Sequence, residues 1–138
     1  MSVSRAVGVG DEVPPFTVAI TLQRLIMEAG ANRDFSPIHF DQEVARASGA
    51  PGAFANTTFN ETLIEAALRQ WAGLDARIRT IEFRMRDFNA VGDDVSAGGV
   101  VTATHADGTV ELDVWIESGR GRTVTGSAVV VLPTAAES

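Results

Sequence analysis

The chain contains no cysteine and no lysine. The first absence removes disulfides, zinc thiolates and thiol nucleophiles together, and it suits a reducing compartment. The second removes Schiff-base chemistry and the lysine of a phosphate-binding loop, because all 11 basic residues are arginine. No run of eighteen apolar residues occurs, and residues 1–10 lack the apolar stretch of a signal peptide, so a cytoplasmic protein without a membrane span is expected. A formal net charge of −7 opposes a polyanion, whose binding requires phosphate neutralisation, and nucleic acid is not an expected partner. Metal ligands are scarce. Asp34, His39 and Asp41 are the right residue types, but one imidazole without repeated spacing predicts no metal site.

What remains is enough for one folded unit. At 138 residues the sequence predicts a single domain, 1–138, with its core at about 13–133 and a frayed tail at 134–138. After a turn at Pro14-Pro15 and a short strand at 16–20, Leu22, Leu25, Ile26 and Ala29 form one helical stripe, with Thr21 as its cap and Gly30 as its stop. Asp41 is placed to cap a short helix ending near Ser48. The longest helical pattern runs from about Thr58 to Trp71 through Phe59, Leu63, Ala66 and Ala67, with a capping box over 58–61 and Gly73 as its stop. Beyond Gly73 the period falls to two. Ile81, Phe83 and Met85, then Val95, Ala97, Val101 and Ala103, then Val110, Leu112, Val114 and Ile116, and finally 124–132 read as four meandering strands. An α+β fold follows, an antiparallel sheet wrapped around the one helix long and apolar enough to cover it, which is the hot-dog layout.

Between the first two helices lies Arg33-Asp34-Phe35-Ser36-Pro37-Ile38-His39-Phe40-Asp41. Pro37 fixes its own φ and drives Ser36 out of the α region, so the segment must bend, and Asp34 and His39 can converge. A carboxylate and an imidazole on one loop are suited to moving protons. The bland alternative is an Asx-turn in which Asp34 only satisfies nearby backbone N–H groups. His105, beside the Asp107-Gly108 hairpin signal, is expected to have a local partner. Arg77, Arg79, Arg84 and Arg86 form the densest basic group, by default a solvated strand face. Trp115 falls on the polar phase of its strand.

The stretch from Asp34 to Asp41 resembles the Asp-x-Asn-Pro-x-His-x-Asp signature of the MaoC-like, or R-specific, enoyl-CoA hydratases. The resemblance covers residues 13–133, with the elements in the same order. It implies a hydro-lyase that adds water across a trans-2-enoyl thioester, or removes it, with Asp34 and His39 as the acid/base pair and neither metal nor redox cofactor. Which of the two is base and which is acid stays open at this level. The resemblance further implies backbone donors for the thioester oxygen at Ala55 and Asn56, and pocket positions at Arg33, Ser36 and Phe54. Arg84 and Arg86 are candidate contacts for CoA phosphates.

There are three departures from the pattern: Ser36 stands for Asn, Arg33 for Gly, and Phe54-Ala55-Asn56 for His-Gly-Met. The stretches 53–57 and 70–73 are similar to small MaoC-like subunits of steroid side-chain hydratases, which act on bulky CoA thioesters, some of them in a heteromer. The expected partners are thus an acyl-CoA substrate and a second chain, in a homodimer or with another MaoC-like subunit. A non-catalytic subunit and an acyl-CoA thioesterase are the competing readings.

Overall fold

The computed structural model describes residues 6–133, and the tail expected at 134–138 lies outside them. Five strands form one antiparallel sheet: β1 (Glu12–Ala19), β2 (Arg77–Met85), β3 (Asp94–Thr104), β4 (Thr109–Ser118) and β5 (Gly121–Val131). Among the described residues three helices precede β2, namely α1 (Leu22–Asn32), α2 (Gln42–Ala47) and α3 (Thr57–Ala72), with a 3-10 turn at Pro37–His39 between α1 and α2.

The strand order, β1-β3-β4-β5-β2, corrects the expected four-strand meander. Only β3, β4 and β5 follow one another as hairpins, whereas β2 crosses to the far side of β5 and pairs from Arg77↔Val131 to Met85↔Val124. Eight residues separate β2 from β3, too many for a tight hairpin, and they form a loop that serves the site instead. The Pro14-Pro15 pair is likewise not a turn ahead of a strand. It sits inside β1, where the register slips between Val13 and Phe16. An edge strand tolerates proline because one row of its backbone groups has no ladder to serve.

The helix α3 covers the sheet as its pattern requires. Phe59, Leu63, Ile64, Leu68 and Trp71 are buried against Val95, Val101, Leu112, Ile116 and Val130. Each such large apolar side chain contributes about 1.5–3 kcal/mol over leaving it in water. The α3 cap is Asn56 rather than a capping box at 58–61: Asn56 Oδ1 accepts from the Phe59 N–H at 2.8 Å. Gly73 ends the helix at φ 87°, as expected.

The end of α1 also differs from the expectation. The helix runs through Gly30 and stops at Arg33, a non-glycine residue at φ 54° and ψ 33°. Arg33 N–H returns to the Gly30 carbonyl at 3.4 Å and Asp34 N–H to the Ala29 carbonyl at 2.9 Å, which satisfies the last carbonyls of the helix. The backbone reversal falls on the residue before Asp34 and aims the loop that follows.

Candidate active site

Asp34 begins that loop and folds back on it, its Oδ1 accepting from the Ser36 N–H at 3.3 Å. Ser36 is extended, at φ −65° and ψ 120°, and Pro37 opens the 3-10 turn at the position where a missing N–H costs nothing. Two carbonyl contacts close the turn, His39 N–H to Ser36 at 3.1 Å and Asp41 N–H to Pro37 at 2.7 Å. Asp41 then caps α2, accepting from Glu43 and Val44, so its carboxylate is spent on the helix and not on the site.

Within this frame His39 Nε2 lies 3.8 Å from Asp34 Oδ2. The other ring nitrogen, Nδ1, is 2.9 Å from the Phe54 carbonyl oxygen. A carbonyl can only accept, so Nδ1 carries a proton, and the tautomer that fits has its lone pair at Nε2, toward Asp34. The Phe54 ring stands edge-on to the imidazole at 4.9 Å between centroids, and Phe88 packs on Phe54 at 4.7 Å. His39 is therefore fixed in both tautomer and plane.

Asp34 is held as firmly. Asn56 Nδ2 donates to Asp34 Oδ2 at 2.9 Å. This bond is the main cause of a carboxyl pKa below the ordinary Asp value; the Ser36 N–H and the neighbouring His39 act in the same direction, and partial burial opposes them. The Asx-turn contact expected of a merely structural Asp34 is present, and it leaves Oδ2 for Asn56 and His39.

The backbone at 53–55 is positioned by the β2–β3 loop. Ala55 N–H donates to the Asn89 carbonyl at 2.9 Å, Val91 N–H donates to the Ala53 carbonyl at 2.9 Å, and Phe54 bridges to Ala90. The Ala55 N–H, an expected oxyanion donor, is thus engaged within the chain by the bond that helps hold Phe54 against His39. Asn56 is present at the site, with its side chain bonded to Asp34.

The loop is clamped in turn by Arg120, from the β4–β5 turn, which grips Asp93 through two bonds at 3.1 and 3.2 Å, reaches Asp87 at 3.3 Å and donates to the Phe88 carbonyl at 2.7 Å. Nothing in the sequence around Arg120 signals these distant partners. Asn56 could have been found as a helix cap from its place before Thr57-Thr58, but not as a partner of Asp34.

A cavity of about 270 Å³ opens beside Phe54 and Ala55, bordered by Asn60, Met85 and Phe88. Asn60 is buried on its floor, accepting from Asn89 Nδ2 at 3.0 Å and donating to the Met85 sulfur at 3.1 Å.

The remaining candidates are not all brought together. Arg33 makes no ion pair among the described residues and acts as the α1 terminus. Ser36 contributes its backbone. Arg84 projects to the sheet face away from α3, into a groove of about 670 Å³ that also holds Arg122 stacked on Trp115 at 3.9 Å. Arg86 lines that groove and also borders the cavity beside Phe54, with its Nε on Thr125 Oγ1 at 2.7 Å. His105 pairs with Glu111 at 2.7 Å, the local partner expected. No cluster of three metal-ligating side chains occurs among the described residues, and no helix among them is long and apolar enough to cross a membrane.

No family model matches the sequence. Among curated proteins, the 3-oxo-4,17-pregnadiene-20-carboxyl-CoA hydratase beta subunit of Mycobacterium tuberculosis is 31% identical over 103 residues, spanning 75% of this chain and 79% of that one. Among solved structures, a chain of the ChsH1-ChsH2 complex from the same organism superposes with a TM-score of 0.88 at 27% identity, over 93% of this chain and all of the matched one. The (R)-hydratase from A. caviae involved in PHA biosynthesis gives 0.86 at 25% identity, over 94% and 99%. With 31% identity to that beta subunit over three-quarters of this chain and superpositions spanning nearly all of the chain, the chain belongs to the MaoC-like family of R-specific enoyl-CoA hydratases and dehydratases.

Proposed function

We propose that this chain hydrates a trans-2-enoyl-CoA, or dehydrates the corresponding 3-hydroxyacyl-CoA, with Asp34 and His39 as the acid/base pair. One observation carries the reading: Asp34 Oδ2 and His39 Nε2 stand 3.8 Å apart, each held from behind by a bond to another residue. That separation is too long for a direct hydrogen bond, and a water oxygen about 2.8 Å from both atoms completes a triangle. Both atoms accept, so such a water donates to both and presents a lone pair to Cβ of the enoyl group. Addition breaks one water O–H bond, forms the C–O bond at Cβ and returns a proton to Cα, which needs no metal and no redox step. Negative charge develops on the thioester oxygen. With the Ala55 N–H spent, the unpaired first-turn N–H groups of α3, at Thr57 and Thr58, are its candidate donors.

A bulky, steroid-type acyl-CoA is the proposed substrate class, on the strength of the CoA thioester in the name of the M. tuberculosis relative. The proposed partner is a second MaoC-like chain, and the ChsH1-ChsH2 likeness favours a heteromer. Of the two sheet edges, β1 is blunted by Pro14 and Pro15, which lack N–H donors, so β2 is the edge that can extend into a partner. A partner-dependent chain is the second reading, favoured by the Ala55 N–H being unavailable within this chain.

The test follows enoyl-thioester absorbance with crotonyl-CoA and with a bulky enoyl-CoA, using the chain alone and with a partner subunit. Asp34→Asn and His39→Ala are each expected to lower turnover about 10²–10⁴-fold without unfolding the protein. Wild-type rates in both variants refute the assignment. Free thiol released without loss of the double bond indicates a thioesterase instead.

A further inference from the structure

We propose that Asn56 divides the labour of the acid/base pair: its amide pins Asp34 as an ionised acceptor, which leaves His39 Nε2 as the atom that carries the proton. The inference rests on the hydratase reading above and settles what the motif leaves open.

The Asn56 amide has only one workable orientation. Oδ1 receives the Phe59 N–H at 2.8 Å, and an N–H can only donate, so Nδ2 is turned the other way, toward Asp34 Oδ2 at 2.9 Å. A flipped amide would set its NH2 against an N–H and its carbonyl against a carboxylate. Asn56 is buried, at 5% exposure, and it terminates the 16-residue α3, whose packing against the sheet leaves the amide little room to move. A charge-assisted bond from a buried, oriented amide favours the ionised acceptor, although the Asp34 side chain itself stays partly exposed. The Ser36 N–H on Oδ1 adds to it. His39 is the one titratable side chain acting on Asp34, and a positive imidazolium would reinforce the same state.

With Asp34 kept as a carboxylate, the proton has one place to go. Imidazole is intrinsically a stronger base than a carboxylate, and here its Nε2 is bare because Nδ1–H is given to the Phe54 carbonyl. As the water oxygen bonds to Cβ, its proton passes to Nε2, and the imidazolium forms beside a fixed negative charge. Nε2–H then delivers the proton to Cα, and the ring returns to neutral. Asp34 orients the water and stabilises the cation. Asn56 touches neither water nor substrate in this scheme and is a positioning residue.

Asn56→Ser and Asn56→Asp test the assignment, since Ser and Asp both cap helices as Asn does and so separate capping from donation. The first readout needs no activity: the carboxyl carbon of Asp34, followed by NMR against pH in the folded chain, is expected to titrate higher in Asn56→Ser than in the wild type. In Asn56→Asp, where a carboxylate replaces the donor, it is expected to titrate higher still. The second readout is hydration by the active assembly, with kcat expected to fall about ten- to a hundredfold in both variants and KM to change less, the scale of one hydrogen bond to a charged group. An unmoved Asp34 titration, or an unmoved kcat in both variants, overturns the proposal. Asp34→Asn and His39→Ala run alongside keep the two readings apart: if those retain full rate the hydratase reading itself fails, and if they lose it while the Asn56 variants do not, only the role of Asn56 fails.

Discussion

Replacing Gly126 by alanine is a direct test of the β2–β5 pairing on which this architecture depends. A Cβ built on Gly126 lies 2.0 Å from the Glu82 carbonyl oxygen and 2.7 Å from Phe83 Cα, both of them backbone atoms of β2. Relief to 3.0 Å, the least that real Cβ atoms show, moves β2 away by about an ångström, against ladder bonds that hold only over about 2.7–3.2 Å. The cost is about two ladder bonds at ~1 kcal/mol each plus an overpacking term of 1–3 kcal/mol, roughly 3–5 kcal/mol altogether. For a chain of this size each kcal/mol shifts Tm by about 3–5 °C, so Gly126→Ala is expected to melt about 10–20 °C below the wild type by circular dichroism. Gly30→Ala is the matched control. Gly30 lies within α1 with nothing inside 4 Å of the added Cβ, and alanine there is expected to raise stability by about 0.5–1 kcal/mol. A Gly126→Ala melting temperature within 3 °C of the wild type would refute the β2–β5 register, and with it the placement of Met85 beside Asn60.

Three further outcomes are expected. Arg120→Ala releases the clamp on Asp87, Asp93 and the Phe88 carbonyl, with a stability loss of about 1–2 kcal/mol given its partial exposure; amide exchange at Ala55, whose N–H is bonded to Asn89 in that loop, is expected to quicken more than exchange in β3 or β4. Arg33→Gly removes the left-handed strain of a Cβ-bearing residue at φ 54° and is expected to stabilise the fold by about 1 kcal/mol in denaturant titration. Asp34 and Asp87 both have carboxyl pKa values lowered in the folded state, Asp34 chiefly by Asn56 and Asp87 chiefly by the Phe88 N–H, so as pH falls the unfolded chain takes up their protons first. Their stabilisation is complete above the ordinary Asp value and is lost as pH drops through the lowered folded values. A plot of Tm against pH should therefore steepen below about pH 4 in the wild type and be flatter in Asp87→Asn.

Periodicity made much of this fold legible. The 3.6-residue stripe of Phe59, Leu63 and Trp71 and the two-residue alternation through Ile81, Leu112 and Val130 each place apolar groups on one face, a local property that survives without knowing the neighbours. The caps at Thr21 and Asp41 were readable for the same reason. Strand order was not, because the β2–β5 partners lie 39 to 54 residues apart and their pattern is compatible with a plain meander. The α3 cap was misplaced by two residues since Thr58-Phe59-Asn60-Glu61 satisfies the capping-box pattern as well as Asn56 satisfies the simpler one. The helix stop was misplaced because Gly30 is a plausible terminus by conformation alone, while the carbonyl contacts that select Arg33 exist only in the folded turn.

By itself the sequence determined the chemistry available to this protein: one carboxylate and one imidazole five residues apart across a proline, no thiol, no lysine, and a helix apolar enough to demand a sheet around it. Only the tertiary structure decided what holds that pair. Asn56 lies 22 residues from Asp34 and Phe54 lies 15 from His39, and they meet because burying α3 against the sheet fixes its first turn beside the loop after α1. Local rules govern which conformations a segment can adopt, but hydrogen bonds between segments exist only once hydrophobic burial has set their separation. The proton on His39 Nδ1 and the lowered carboxyl pKa of Asp34 both come from such bonds.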